Sequence, residues 1–334
     1  MCRGHGGADG TSMTDRRLAA GVDLGGTKIH SLVATEGGEV LGEDRCPTLA
    51  QEGPDAVIAR IAASVRRAME RAGVGIDDIV GVGISTPGPC DPERGVVTDA
   101  PNLPGFHQFP LTRRVSEALG TRAILENDAN AACYGEYRFG AGLGLRHIVY
   151  VTLGTGIGGG IIIDGKLYEG ASGAGGEVGH LIIDEDGPPC NCGNRGCVEA
   201  FASGPAIARE AEAALAAGRS PLLAELVGEG PPTPELVHQA ALRGDEASRE
   251  IIERAGHHLG IGLAGVLNCL NPEALILGGG LLGLGDLYLE PALRAAKAGA
   301  FEQVVADVTI TQAKLGERAG ALGVAALMIE DEPR

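Results

Sequence analysis

No run of apolar residues in this chain is long enough to span a bilayer, and its N-terminal stretch has no apolar h-region behind its charges. A membrane-embedded or secreted class is thereby set aside, and a cytoplasmic place is expected. Cations are scarce as well: 27 Lys and Arg stand against 44 Asp and Glu, a formal net charge of −17. That balance repels phosphate backbones and anionic lipid, so neither nucleic acid nor a membrane surface is an expected partner. The basic clusters present, such as Arg66, Arg67 and Arg71, fall at helical spacing among apolar residues, as a solvated helix face does.

At 334 residues and 44% hydrophobic, the chain can bury two domain cores. In a reducing compartment its cysteines are not a disulfide framework. Cys190, Cys192 and Cys197 crowd together and point to a metal, whereas Cys2, Cys46, Cys90, Cys133 and Cys269 read as unpaired thiols. The 55 glycines gather in short clusters, which suggests main chain approaching ligands closely.

Residues 1–17 show no periodicity and are expected to be a disordered tail, with Met13 an alternative start to Met1. From Leu18 a β-meander is predicted: Ala20 to Leu24, a Gly25-Gly26 turn, Lys28 to Ala34, and Glu39 to Arg45. A helix is predicted next over Pro54–Ala72, then a buried strand over Ile79–Ile84 and a strand over Arg122–Glu126 that runs into a helix from Ala129. The second half opens in a related way. A strand over His147–Leu153 leads into Gly154 to Gly160 and then a hairpin through Asp164-Gly165. Helices are predicted over 204–217, 234–242 and 246–270, strands over Ala274–Leu277 and Asp307–Thr311, and a closing helix from about Glu317. Two halves with related openings suggest an internal duplication.

Gly154-x-Gly156-x-x-Gly159 meets the dinucleotide-binding pattern, but the next segment, Ile161 to Ile163, reads as β rather than the helix that pattern requires. Gly160 to Lys166 spells most of a Walker A loop, yet Leu167 replaces the magnesium-binding Ser or Thr. Two glycine-rich turns remain, Asp23 to Lys28 and Gly154 to Gly160, whose bare amides can donate to a polyphosphate. Thr27 and Thr155 add hydroxyls, and Asp23 can hold magnesium through water. Each turn taken alone reads more simply as a tight turn, but the two together, in matching places of two halves, favour phosphate.

Cys190, Cys192 and Cys197, with His180 upstream, make three sulfurs and an imidazole, a closed tetrahedral shell for a structural zinc ion. Reduced thiols or a disulfide are the alternative. The ion would pin Glu177, His180 and Glu199 to face a hydroxyl-rich ligand. Glu199 can also be read as a solvated first-turn carboxylate. Phosphorylating an alcohol needs a carboxylate in reach of the hydroxyl, and Asp128, after a strand and at a helix N-terminus, is the candidate. An ordinary N-cap is the competing account. Asn127 suits sugar hydroxyls, as does Asn102, although Asn102 in its Pro-rich loop is also a natural turn residue.

Taken in order, these motifs resemble the ROK family of sugar kinases and transcriptional repressors from about Leu18 onward. Asp23 to Lys28 is similar to the family's first phosphate motif and Gly154 to Gly160 to its second. Glu126 to Asn130 is similar to its catalytic segment, and Gly176 to His180 with Cys190 to Glu199 to its zinc-and-sugar signature. The resemblance implies an α/β, actin-like ATPase (ribonuclease H-like) duplicated fold in two lobes with a central cleft. Residues 18–126 plus about 318–334 would form the small lobe and 127–317 the large one. It implies Asp128 as base and Asn102, Asn127, Asp128, Glu177, His180 and Glu199 on the sugar. It implies Asp23, Gly25, Gly26, Thr27, Lys28, Gly154, Thr155, Gly156 and Gly278, Gly279, Gly280 on the nucleotide, and His180, Cys190, Cys192 and Cys197 on zinc. His180 would give one ring nitrogen to the metal and the other to a hydroxyl.

Family repressors carry a winged helix-turn-helix ahead of the first phosphate motif; only 22 residues precede Asp23, so a DNA reader is not expected. The segments Gly170 to His180 and Tyr134 to Gly140 are most similar to the glucokinase branch. The expectation is therefore transfer of phosphate from Mg-ATP to the 6-hydroxyl of a hexose, glucose first, by a homodimer or dimer of dimers. An N-acetylmannosamine or N-acetylglucosamine kinase is the alternative, and a sugar-sensing regulator without turnover a further one.

Overall fold

A computed structural model describes residues 17–100 and 102–331. The tail expected over 1–17, with Met1, Met13 and Cys2, lies outside these residues apart from Arg17. The chain divides into two compact units. One holds the described residues up to Glu126 together with those from Val324, and the other is Asn127–Gly323.

The first unit contains β1 (Leu18–Leu24), β2 (Lys28–Thr35), β3 (Val40–Pro47), α1 (Pro54–Ala72), β4 (Val82–Thr86), the short strands β5 (Cys90–Asp91), β6 (Val96–Asp99) and β7 (His107–Phe109), α2 (Leu111–Leu119) and β8 (Ala123–Asn127). Its main sheet has the order β3-β2-β1-β4-β8, with β1 antiparallel to β2 and parallel to β4. The α1 helix begins with Pro54, whose missing N–H costs nothing in the first turn, and ends at Gly73 in the left-handed conformation (φ 71°). Between these stops, Val57, Ile58, Ile61, Val65 and Ala68 form the apolar stripe that enters the core beside β1 and β2. A buried carboxylate of this unit, Asp44, accepts from Arg67 Nη2 at 2.7 Å and Ser64 Oγ at 3.0 Å, with Arg71 Nη1 3.0 Å away.

The second unit runs through α3 (Asp128–Phe139), β9 (Ile148–Leu153), β10 (Ile157–Ile163), β11 (Lys166–Leu167), α4 (Val198–Ala202), α5 (Gly204–Ala216), α6 (Pro221–Val227), α7 (Pro234–Leu242), α8 (Glu246–Leu270), β12 (Ala274–Gly278), α9 (Asp286–Gly299), α10 (Glu302–Asp307), β13 (Thr309–Gln312) and α11 (Ala319–Glu330). The last helix continues past Gly323 into the first unit. The sheet order is β11-β10-β9-β12-β13, with β9 antiparallel to β10 and parallel to β12. That repeats the first sheet's plan, a three-strand meander whose first strand pairs in parallel with a later one, the duplicated α/β arrangement expected. Leu259, Leu263 and Leu267 of α8 pack in one core with Leu275 and Leu277 of β12 and with Tyr288, whose hydroxyl donates to the Ala202 carbonyl at 2.7 Å.

Several elements depart from the sequence reading. Asp307 ends α10, and the last strand starts only at Thr309. The strand read from Ile79 begins at Val82. The helices α2, α6, α9 and α10 and the small sheet β5-β6-β7 were not anticipated; α9 carries Pro291 in its interior, which masks it in a periodicity count. A fully buried glutamate also went unread. Glu136 in α3 accepts from the amides of Ala141 (2.8 Å), Lys314 (2.9 Å) and Leu315 (2.7 Å).

Candidate active site

In the first unit, the β1–β2 turn carries the first glycine motif. Its shape is held by main chain and by one threonine: Gly25 N–H donates to the Lys28 carbonyl at 2.9 Å, Thr48 Oγ1 to the Gly25 carbonyl at 2.7 Å, and Thr48 N–H to the Thr27 carbonyl at 2.9 Å. Thr27 is exposed, while Gly25, Gly26 and Lys28 are half-buried. Asn102 stands directly against the turn: a Cβ at Gly26 would lie 2.8 Å from Asn102 Cβ, so only glycine fits there. Asp23, at the end of β1, accepts from Ser85 Oγ at 2.8 Å, a residue the sequence reading missed. The signal was the parallel pairing that puts Asp23 beside Ser85 at the end of β4.

The second unit begins where β8 passes the chain to α3. Asn127 is the N-cap, its Oδ1 accepting from Ala129 N–H (2.9 Å) and Asn130 N–H (3.3 Å). The capping account considered for Asp128 therefore belongs to its neighbour. Asp128 is the first helical residue, half-buried, with Oδ1 accepting from Ala129 N–H at 2.8 Å. The positive end of α3 favours its ionised form, the state a general base needs.

The second glycine run is not one turn. Only Gly154, Thr155 and Gly156 form it, with Gly154 N–H donating to the Gly156 carbonyl at 3.0 Å, and β10 starts at Ile157. Gly158, Gly159 and Gly160 are strand residues whose missing side chains admit neighbours on both faces. A Cβ at Gly160 would lie 2.4 Å from Cys133 Cβ, and one at Gly158 3.0 Å from Ala129 Cβ, so α3 rests on that face. On the other face a Cβ at Gly159 would lie 2.6 Å from the Gly176 carbonyl. The helix that begins at Asp128 and the segment of Glu177 and His180 are thus both set by the strand that leaves the turn. Gly278 ends β12 beside Thr152, and Gly279 (φ 93°) approaches the Leu153 carbonyl so closely that a Cβ would lie 2.2 Å from it. The 278–280 and 154–156 turns are therefore neighbours.

His180, Cys190, Cys192 and Cys197 bring their ligand atoms within 4.8 Å of one another. Cys190 Sγ lies 3.6 Å from His180 Nδ1, and Cys192 Sγ 3.7 Å from Cys197 Sγ. Tetrahedral zinc with bonds of about 2.3 Å to sulfur and about 2.0 Å to nitrogen sets a sulfur–nitrogen edge of ~3.5 Å and a sulfur–sulfur edge of ~3.8 Å, so these donors fit that ion. Burial pushes the Cys190 thiol up and Cys197 up to about 12, so a cation is what would hold them as thiolates. His180 faces two ways: Nδ1 to the cluster, Nε2 3.9 Å from Glu177 Oε2. Glu199, in the first turn of α4, accepts from Ile157 N–H through Oε2 at 2.9 Å, and its Oε1 lies 3.8 Å from Cys190 Sγ. It is a bonded, half-buried group rather than the solvated carboxylate considered as an alternative.

Among the described residues no helix is long and apolar enough to cross a membrane. Known proteins match the chain over nearly its whole length. A glucokinase of Thermotoga maritima is 38% identical over 312 residues, 93% of this chain and 96% of that protein. The crystal structure of a ROK hexokinase from Thermus thermophilus, 36% identical, superposes with a TM-score of 0.81 over 94% of this chain and 100% of its own. A ROK family glucokinase from Streptomyces griseus, in complex with glucose and AMPPNP, is 35% identical with a TM-score of 0.79 over the same shares. The model of the ROK family matches residues 19–331, across both sheets and the cysteine cluster. With its two sheets built on one plan, the chain has the actin-like ATPase fold and belongs to the ROK family.

Proposed function

We propose that this protein is a glucokinase that transfers the γ-phosphoryl group of ATP to the 6-hydroxyl of glucose. The observation that carries the reading lies within one unit: the Asp128 helix packs through Gly158 and Gly160 onto the strand leaving the 154–156 turn, and Gly176 and Val178, on either side of Glu177 and next to His180, pack on the opposite face of that strand. An acid, a glycine turn and a set of groups suited to sugar hydroxyls are thereby fixed to one β-strand.

In the reaction, the Asp128 carboxylate accepts the 6-hydroxyl proton as the sugar oxygen forms its bond to γ-phosphorus. The bond to the β–γ bridging oxygen breaks, and ADP leaves. Asn127, Glu177, His180 and Glu199 hold the sugar hydroxyls, and the Thr155 and Gly156 amides with the Thr155 hydroxyl hold phosphate. The 278–280 turn stands on the nucleoside side. In the first unit Asp23, Gly25, Gly26, Thr27 and Lys28 offer further phosphate and magnesium contacts, with Asn102 against them on the sugar. Magnesium bound with ATP supplies charge neutralisation on the phosphates. Zinc on His180, Cys190, Cys192 and Cys197 fixes the loop geometry, since three thiolates and an imidazole leave no place for a reacting water. The same reading carries a cytoplasmic place and a homodimer or dimer of dimers.

The test is ADP release across glucose, mannose, N-acetylmannosamine and N-acetylglucosamine, with wild type and Asp128→Ala. Glucose should give the highest kcat/KM, and Asp128→Ala should lower kcat by about 10²–10⁴-fold. A higher kcat/KM for an acetylated hexosamine would replace glucose as the acceptor; near-normal turnover by Asp128→Ala would end the mechanism.

A further inference from the structure

The main chain of Ile157, the first residue after the 154–156 turn, is held at both its N–H and its carbonyl. Its N–H donates to Glu199 Oε2 at 2.9 Å. Its carbonyl faces Gly179 so closely that a Cβ there would lie 2.0 Å from the oxygen. Both gripping residues flank the cysteine and histidine cluster: Glu199 lies two positions after Cys197, and Gly179 precedes His180. The carboxylate's other oxygen lies 3.8 Å from Cys190 Sγ, and a Cβ at Gly156 would stand 2.8 Å from Oε2.

We infer that Glu199, beyond any contact with sugar, is a positioning residue for the 154–156 phosphate turn, and that the cluster sets the geometry of ATP binding through this clamp on Ile157. The inference rests on the reading of Gly154–Gly156 as a phosphate turn. A carboxylate that accepts one amide turns that amide away from phosphate. It thereby fixes the peptide plane at the mouth of the strand, and with it the aim of the amides before it. A loop ordered by a metal is a stiff support for such a group, because thiolate and imidazole bonds leave Cys197 and His180 little freedom.

The experiment measures hydrogen exchange at the Ile157 amide and calorimetric binding of AMPPNP without sugar, on zinc-loaded protein. Glu199→Ala should speed Ile157 exchange and weaken AMPPNP about fivefold, the worth of one hydrogen bond. Glu199→Gln keeps an acceptor for Ile157 N–H, so it should hold AMPPNP affinity within about twofold while the sugar KM rises. Chelation of the metal should speed exchange at Ile157 as Glu199→Ala does. If Glu199→Ala folds, leaves Ile157 exchange and AMPPNP affinity unchanged and raises only the sugar KM, Glu199 is a sugar contact alone and the inference is overturned. If it does not fold, Gly156→Ala, whose Cβ displaces the carboxylate, takes its place: unchanged exchange there overturns the inference equally. Loss of AMPPNP binding by wild type itself would instead defeat the phosphate-turn reading, and the exchange data would still decide the clamp.

Discussion

Gly160→Ala tests how finely the base is placed. The added methyl would lie 2.4 Å from Cys133 Cβ and 2.9 Å from the Ala129 carbonyl. Carbon atoms rest at about 3.5–4.0 Å, so α3 must retreat from β10 by roughly 1.2 Å. Asp128 is the first residue of that helix and moves with it, while the 154–156 turn stays with the strand. Misplacement of about 1 Å at a reacting group costs on the order of 10²-fold in rate, and overpacking costs about 1–3 kcal/mol of stability. The expectation is a folded enzyme with kcat lowered about 100-fold and AMPPNP affinity little changed. Gly158→Ala meets Ala129 Cβ at 3.0 Å and Thr152 Cγ2 at 3.2 Å, a shift of about half an ångström, and should lose only severalfold. Gly265→Ala meets nothing within 4 Å and should lose nothing. The assay is ADP release at saturating ATP and glucose, with circular dichroism and a thermal melt on each variant. A folded Gly160→Ala enzyme within threefold of wild type, or a reversed order of Gly158→Ala and Gly160→Ala, would refute the claim that these glycines set the position of Asp128.

Stripping the metal with a chelator should release about one zinc per chain by atomic emission and lower the melting temperature, and Cys192→Ser should do the same without a chelator; protein that never carries more than a trace of zinc contradicts the site. Asp44 gives an acid limit. Burial acts to raise its pKa, but hydrogen bonds from Arg67 and Ser64 and the charges of Arg67 and Arg71 outweigh it and hold the carboxyl below its usual value. A depressed folded pKa contributes stability that is whole above the unfolded value of about 4 and fades as pH falls below it. Urea denaturation from pH 6 to pH 3 should therefore find wild type losing more stability than Asp44→Asn. At pH 7, Arg67→Met should cost about 2–3 kcal/mol, less than a fully broken buried pair because Arg71 remains; a cost below about 0.5 kcal/mol would show that Arg71 suffices.

The meanders, α1 and the cysteine cluster were legible in the sequence because each rests on local chemistry. Pro54, the stripe from Val57 to Ala68 and Gly73 mark α1 without any tertiary information. Likewise the short spacing of Cys190, Cys192 and Cys197 confines the ligands before the fold forms. The features that stayed hidden depend on partners distant in sequence. Gly158 to Gly160 resemble phosphate-turn glycines until Cys133 and Gly176 are seen on either side, since a missing Cβ does not say which neighbour fills its place. Glu199 could be taken for a solvated acid because its partner, Ile157 N–H, is a main-chain group with no sequence identity. Asn127 and Asp128 were both eligible to cap α3, and only the helix start decides between adjacent candidates.

The same anonymity of main-chain donors governs Glu136. One sealed carboxylate ties three amides from two remote stretches of chain, so the knot is written at a single address. Ala141, Lys314 and Leu315 contribute only a group that every residue but proline possesses. Evolution or an engineer can thus rewrite those three letters widely, provided proline is refused, whereas the glutamate has no understudy: aspartate is a methylene too short, and glutamine offers one oxygen where two are in use.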